Sequence, residues 1–138
     1  MPLDEYFPKD KRAEYFPGTV AACTYGGKLT ALPWFVDSGM FYYRKDLVEK
    51  HGGEVPETWA DMATIAAEAQ KAGDAKFGYL WQGKQAEVLI CDAVEIIASN
   101  GGSILSADGK SSVIGDDAAV EAIQFLYDTI NKTKVSPQ

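Results

Sequence analysis

The sequence predicts an α/β fold, and three of its features support that prediction. Segments with apolar residues at helical spacing alternate with short runs rich in aromatic and β-branched residues. Glycine pairs stand between these segments, for example Gly26-Gly27 and Gly101-Gly102. Apolar residues make up 46% and charged residues 24% of the 138-residue chain, as in ordinary globular domains. We therefore expect one domain-sized core built from alternating strands and helices.

The first third of the chain predicts short elements, because Pro2, Pro8 and Pro17 interrupt any long helix. Two helical pieces are expected before the Gly26-Gly27 turn, and two strands and a helix after it. In chain order, these elements are the helices Lys9–Tyr15 and Thr19–Thr24, the strands Lys28–Leu32 and Met40–Tyr43, and the helix Asp46–His51.

The segment around Thr58 predicts a helix start. Thr58 can cap the helix with its hydroxyl, and Asp61 stands three residues later as the reciprocal partner. The helix should continue to about Lys71 and stop at Gly73, a residue that adopts the left-handed conformation without strain.

The remaining half of the chain predicts a strand, two long helices and a hairpin between them. In order, these are the strand Phe77–Trp81, the helix Ala86–Ser99, the strands Ser103–Leu105 and Ser112–Ile114 around the turn Ala107–Lys110, and a helix that begins near Asp116-Asp117. The apolar spacing predicts a buried stripe on each long helix: Ile90, Ala93, Val94 and Ile97 on the first, and Val120, Ile123, Leu126, Tyr127 and Ile130 on the second.

The charge balance excludes one large class of partner. The chain has 20 acidic and 13 basic residues, a net charge of -7. Nucleic acid binding requires a basic face, and no such face is visible in the sequence. No apolar run approaches the ~20 residues that span a bilayer, and the first residues lack the pattern of a signal peptide. Cys23 and Cys91 match no metal spacing and are expected to be buried free thiols.

Signs of catalysis are weak. His51 is the sole histidine and stands at a predicted helix end, where a structural role is expected. The chain carries no glycine-rich phosphate-binding loop, and no metal or cofactor is predicted. Asp37 and Glu87 could form the carboxylate pair of a small glycosidase, but only if the fold brings them together. We therefore expect no enzyme, with a glycosidase as a remote alternative.

Aromatic residues beside a lone acid give the clearest functional signal. Trp34 and Phe35 follow Pro33 in a segment between two predicted strands, and Asp37 comes two residues later. A sugar ring presents apolar CH faces that lie against aromatic planes, and its hydroxyls donate to carboxylates. The segment is therefore a candidate carbohydrate-binding wall.

A second stretch combines the same residue types. Trp81 is followed by Gln82, Gln85 and Glu87, and the stretch leads into the start of a predicted helix. Such a loop can offer an aromatic platform, amide and carboxylate groups, and free backbone N–H groups. The alternative is that Trp81 belongs to the core while the polar residues cap the helix or face solvent.

Six strings in this order resemble the family of extracellular solute-binding proteins that feed ABC importers, in particular the branch for maltose, trehalose and related glycosides. They are Tyr25–Trp34, Phe41–Leu47, Pro56–Trp59, Phe77–Gln85, Ser99–Gly102 and Ala118–Tyr127. The resemblance implies a periplasmic-binding-protein-like (type II) lobe, incomplete, with three α/β layers and short helices. Residues 1–36 would be the tail of a first lobe and the crossing strand. Residues 37–138 would be the second lobe, ending before the return crossing.

The same resemblance implies which residues bind and what they bind. Asp37 matches the acid of the crossing segment that accepts hydrogen bonds from sugar hydroxyls, and Phe35 matches an apolar position of the cleft. The loop from Trp81 to Glu87 matches the second-lobe loop that reaches the ligand. The family captures an oligosaccharide such as maltose or trehalose and delivers it to ABC permease subunits, outside the cell or in the periplasm.

The resemblance covers only part of such a protein, so binding by this chain is expected to be impaired. The alternative is a self-standing or oligomerising module, in which apolar surface on residues 1–36 drives self-association.

Overall fold

The computed structural model describes residues 1–138, and the chain divides into two compact units, Met1–Ser38 and Gly39–Gln138. The elements of the first unit are the helices α1 (Lys9–Arg12) and α2 (Pro17–Ala22) and the strands β1 (Thr24–Tyr25) and β2 (Lys28–Leu29). The elements of the second unit are the helices α3 (Lys45–His51), α4 (Trp59–Lys71), α5 (Glu87–Ser99) and α6 (Asp117–Asn131).

The first unit is organised around a small β-hairpin. Gly26 and Gly27 join β1 to β2 with φ angles of 56° and 76°, the left-handed conformations that a type I′ turn requires. Leu29 is fully buried, and its carbonyl accepts a hydrogen bond of 2.7 Å from the Leu3 N–H. The N-terminal segment is thereby fastened to the hairpin.

The predicted elements of this unit are present, but the first helix and the strand are shorter than expected and the second helix is shifted. The predicted strand Lys28–Leu32 ends at Leu29, because the Thr30 and Ala31 N–H groups both turn to the Cys23 carbonyl. The first helix stops at Arg12 instead of Tyr15, and the second runs over Pro17–Ala22 instead of Thr19–Thr24.

Helix α4 begins as predicted. The Thr58 hydroxyl accepts a hydrogen bond of 3.1 Å from the Asp61 N–H, and the Asp61 carboxylate accepts one of 3.2 Å from the Thr58 N–H. This reciprocal pair is a capping box, which satisfies two backbone donors that the helix leaves unpaired. The helix ends before Gly73, whose φ of 79° is left-handed.

Polar contacts fasten α3 to the end of α4. The Asp74 carboxylate lies 2.7 Å from Lys50 Nζ and 2.7 Å from His51 Nε2. The hydrogen bond from Lys50, followed by the one from His51, lowers the pKa of Asp74 below its ordinary value of 3.8. The histidine therefore has the structural helix-end role predicted for it.

The core of the second unit lies between α5 and α6. Ile96 and Ile97 pack against Ala119, Ala122 and Leu126. The helices approach closely at the end of α5, where a Cβ atom on Gly102 would lie 3.0 Å from the Ala119 nitrogen. A second buried cluster joins Met62, Ala66 and Val135.

The predicted buried stripes of the two long helices are largely wrong. Ile97 and Leu126 are buried as expected, but Ile90 and Val94 on α5 and Val120, Ile123 and Tyr127 on α6 are exposed. The contact face of α6 instead carries alanines, because small side chains let α5 and α6 approach closely. Thr129, which is also buried, completes that face.

Three predicted strand regions form no sheet. Met40–Tyr43 has no regular secondary structure, and its backbone groups form no hydrogen bonds. Phe77–Trp81 pairs only through the N–H groups of Gly78 and Tyr79, which both donate to the Val135 carbonyl. The predicted hairpin is reduced to one bridge, between Leu105 and Ser112. A run with strand-like composition becomes a strand only where a neighbouring backbone completes its ladder.

Both cysteines are free thiols, as predicted, but Cys91 is exposed on α5 rather than buried, and Cys23 is half-buried. No helix is long and apolar enough to cross a membrane.

We predict that Thr58→Ala lowers the free energy of unfolding by about 1 kcal/mol, because the substitution removes the hydroxyl half of the capping box. Urea denaturation followed by circular dichroism measures the change. The control is Thr64→Ala, which removes an exposed mid-helix hydroxyl bonded to the Ala60 carbonyl. This control should be neutral or slightly stabilising. Equal losses in both variants would contradict a specific capping role.

A second prediction concerns pH. Since the pKa of Asp74 is lowered in the folded protein, the unfolded chain protonates this carboxyl first as pH falls. The stabilisation from Asp74 is complete above the ordinary carboxyl range and is lost as pH falls through the folded pKa. Asp74→Asn should therefore lower the melting temperature at neutral pH, and the difference from the unmodified chain should shrink in acid. Glu121→Gln is the control, because Glu121 is exposed and forms no ion pair. An effect of Asp74→Asn on the melting temperature that does not change with pH would contradict the prediction.

Candidate functional site

The predicted ligand-binding residues fall into two groups, one in each unit. Trp34, Phe35 and Asp37 belong to the first unit. Trp81, Gln82, Gln85 and Glu87 belong to the second.

In the first unit, the predicted residues stand in a segment without regular secondary structure and are open to solvent. Trp34 is 92% exposed and Phe35 is 76% exposed. The Asp37 carboxylate is also exposed, and it accepts no hydrogen bond and forms no ion pair within the chain. Large aromatic rings and an acid without a partner are therefore available together on the surface of this unit.

In the second unit, Trp81 is anchored in the core. Its ring packs against the α5–α6 cluster, and its Nε1–H donates a hydrogen bond of 3.3 Å to the Thr129 hydroxyl on α6. The backbone of Gly83 passes along the ring, since a Cβ atom there would lie 3.0 Å from Trp81. Trp81 thus positions the loop that follows it, and its half-buried ring leaves a smaller aromatic surface than that of Trp34.

The polar residues of the loop differ in how they are held. The Gln82 N–H donates a hydrogen bond of 2.6 Å to the Asp92 carboxylate, which fixes the loop to α5. The side chains of Gln85 and Glu87 are exposed and form no hydrogen bonds within the chain. No side chain caps the start of α5, so its first backbone N–H groups also have no side-chain partner.

The structure adds Tyr79, Asp92 and Glu95 to the predicted group in the second unit. Burial, together with the negative charges of Asp92 and Glu95, raises the pKa of Tyr79 from its ordinary value of 10.0 to about 12. The hydroxyl is protonated at neutral pH with either value. A Cβ atom on Gly39 would collide with the Glu95 carboxylate, so that backbone and the acid are in close contact. The sequence contains an indication of one of these three residues. Glu95 follows the predicted site residue Glu87 by about two turns of α5, so the two acids lie near the same side of the helix.

The chemistry available in these groups is recognition by hydrogen bonds and apolar contact. Carboxylates, amides, a phenol and aromatic faces are present, and no group of three or more His, Cys, Asp or Glu side chains is arranged to hold a metal ion.

The comparisons with known proteins agree with one another. The family model for bacterial extracellular solute-binding proteins matches residues 1–138. A probable ABC transporter-binding protein of Deinococcus radiodurans is 44% identical over 138 residues, and the match covers 94% of this chain and 33% of that protein.

Two solved structures are similar over almost the whole chain. Maltose-bound MalE3 of T. maritima matches with a TM-score of 0.78 and 41% identity, covering 99% of this chain and 35% of that one. An ABC substrate-binding protein of Listeria monocytogenes, in complex with cycloalternan, matches with a TM-score of 0.65 and 26% identity, covering 99% and 36%. These neighbours confirm the predicted fold class, that of type II periplasmic binding proteins.

This chain spans about a third of the length of the relatives that it matches. The family model nevertheless matches all of it, and relatives and structures agree with that match. The chain therefore belongs to the family of bacterial extracellular solute-binding proteins of ABC transporters.

Proposed function

We propose that this chain takes part in the reversible binding of a carbohydrate, an oligosaccharide such as maltose, for an ABC importer. The observation that supports this most is the exposed group of Trp34, Phe35 and Asp37. Two large aromatic rings stand open to solvent, and an acid without an intramolecular partner follows them. That combination offers both kinds of contact that a sugar ring makes.

The chemistry of each contact is specific. The CH faces of a pyranose ring lie against Trp34 or Phe35, which removes apolar surface from water. A sugar hydroxyl donates to Asp37, and a hydrogen bond to an ionised acceptor contributes more than one between neutral groups. Because Asp37 has no partner to release, the sugar replaces only water at this carboxylate.

The second unit carries polar groups of its own that are able to bind sugar hydroxyls. Gln85 and Glu87 offer amide and carboxylate groups, and the start of α5 offers backbone donors. The protonated hydroxyl of Tyr79 is a further donor. The fixed position of Gln82, held through Asp92, limits how much the loop must be ordered on binding.

The choice of ligand rests on the structural neighbours. The neighbour with 41% identity is bound to maltose, and the one with 26% identity is in complex with cycloalternan. Both ligands are carbohydrates, and maltose comes with the more similar protein. Trehalose is a second disaccharide to test, since the same contacts suit it.

The partners and the mechanism follow from the family. In such an importer, the solute-binding protein closes around its ligand outside the cell or in the periplasm, and membrane permease subunits accept the closed form. The relatives are about three times as long as this chain, so most of their surface has no counterpart in these 138 residues. We therefore expect the chain alone to bind sugar weakly.

The proposal predicts millimolar or weaker binding of maltose by the 138-residue chain. Titration with maltose, trehalose and glucose, followed by tryptophan fluorescence and calorimetry, measures it. Submicromolar affinity would contradict the expectation that the chain lacks part of the contacts. If none of the three sugars caused a response at high concentration, the result would contradict the proposed function.

A prediction for single residues sharpens that test. Asp37→Asn should weaken maltose binding by about 10-fold, because it removes the charge from the acceptor. Trp34→Ala should weaken it by a similar factor through the loss of the apolar platform. The control is Asp10→Asn, an exposed acid of the same unit that forms no ion pair. Equal affinities of Asp37→Asn and the control would exclude Asp37 as a ligand residue.

A self-associating module is the second candidate. The first unit exposes Tyr6, Phe16 and Tyr25 in addition to the aromatic residues of the proposed site. Apolar surface of this kind favours contact between copies. Light scattering over a wide range of concentrations distinguishes the two: a monomer at every concentration would contradict self-association.

A further inference from the structure

A pocket of about 350 Å³ lies in the second unit, at the start of α4. Phe41, Trp59 and Met62 form its apolar walls, and Glu57, Thr58 and Ser99 are its polar residues. None of these residues belongs to the proposed carbohydrate-binding groups, so the pocket requires its own explanation.

The aromatic walls of the pocket stand at a right angle. The rings of Phe41 and Trp59 have centroids 6.0 Å apart and planes at 83°. Tyr43 stacks on Phe41 at 6.0 Å and 19°, and Trp59 Nε1–H donates a hydrogen bond of 2.8 Å to the Ser99 hydroxyl. Both walls are therefore held in place by neighbours.

The polar side chains of the pocket already form hydrogen bonds within the chain, with one exception. The Thr58 hydroxyl is hydrogen-bonded to Asp61 at 2.6 Å, and the Ser99 hydroxyl accepts from Trp59 and donates to the Ile96 carbonyl at 3.0 Å. The Glu57 carboxylate forms no hydrogen bond and no ion pair within the chain. A ligand with several hydroxyls would find few free partners here, whereas a ligand with one positive charge would find an acceptor.

The local charge favours a cation. Glu54, Glu57 and Asp61 lie within eight residues of sequence that contain no Lys or Arg. Aromatic faces attract cations through the negative charge of their π-systems, and the attraction is strongest for cations that lose little hydration. Quaternary ammonium groups have this property and also present apolar methyl groups to Met62 and the rings.

We propose that this pocket binds a small organic cation of the quaternary-ammonium class. The trimethylammonium group lies in the corner between Phe41 and Trp59, and the Glu57 carboxylate balances its charge. This site is separate from carbohydrate binding and does not depend on it.

The test compares choline with its neutral isostere, 3,3-dimethylbutan-1-ol, on the full 138-residue chain. Two-dimensional NMR reports the Trp59 indole N–H signal during each titration. Choline should shift this signal in a saturable way and bind about 10-fold more tightly than the isostere, because only the cation gains from the rings and the carboxylate. Glu57→Gln should weaken choline binding by about 5-fold and leave the isostere unchanged. Glu121→Gln, which alters an exposed acid of α6 outside the pocket lining, should leave both unchanged.

Several results would overturn the proposal. Equal binding of choline and the isostere would exclude cation recognition, and unchanged choline binding by Glu57→Gln would exclude the carboxylate. The site would also be excluded if about 20 mM choline caused no shift of the Trp59 signal, because this concentration is well above a millimolar dissociation constant. Tighter binding of an alkylguanidinium than of choline would contradict the assigned ligand class.

Phe41→Leu, at a partly exposed ring, provides a second variant and should also weaken choline binding.

Discussion

The packing of Trp59 is the interaction on which the second unit depends. Its side chain is in contact with both buried clusters, the one between α5 and α6 and the one formed by Met62, Ala66 and Val135. Its ring lies 6.1 Å from Tyr79 and 6.3 Å from Phe125, and its indole N–H is bonded to Ser99. Because Trp59 is the first residue of α4, the capping box at Thr58 also fixes where this ring enters the core.

The candidate binding groups of the unit depend on the same packing. Tyr79 contacts Trp59, and two residues later Trp81 is tied to Thr129 on α6, so the loop that follows leaves from a rigid support. Asp92 then fixes the loop from the side of α5. One wall of the pocket proposed to bind cations is Trp59 itself. Core packing therefore provides preorganised surfaces, which reduces the entropy lost when a ligand binds.

Elements that depend on residues close in sequence could be predicted, whereas elements that depend on contacts between residues far apart in sequence could not. The start of α4 could be predicted because Thr58 and Asp61 are close in sequence. A strand was expected at Met40–Tyr43, but none forms there, since no neighbouring backbone completes its ladder. The buried face of α6 was misjudged because helical spacing favoured large apolar residues, whereas close approach to α5 selects Ala119 and Ala122. Residue types identified the candidate binding groups, but the roles of Asp92 and Tyr79 required the spatial contacts, and the ligand residues themselves stay predictions.

The central claim is that Trp34, Phe35 and Asp37 contact carbohydrate. The most direct measurement is the detection of intermolecular nuclear Overhauser effects between maltose ring protons and the aromatic protons of this chain. The proposal predicts effects on Trp34 and Phe35, because the CH faces of the sugar lie against these rings. Saturable maltose binding with effects only on Trp59 or Phe41, and none on Trp34 or Phe35, would contradict it.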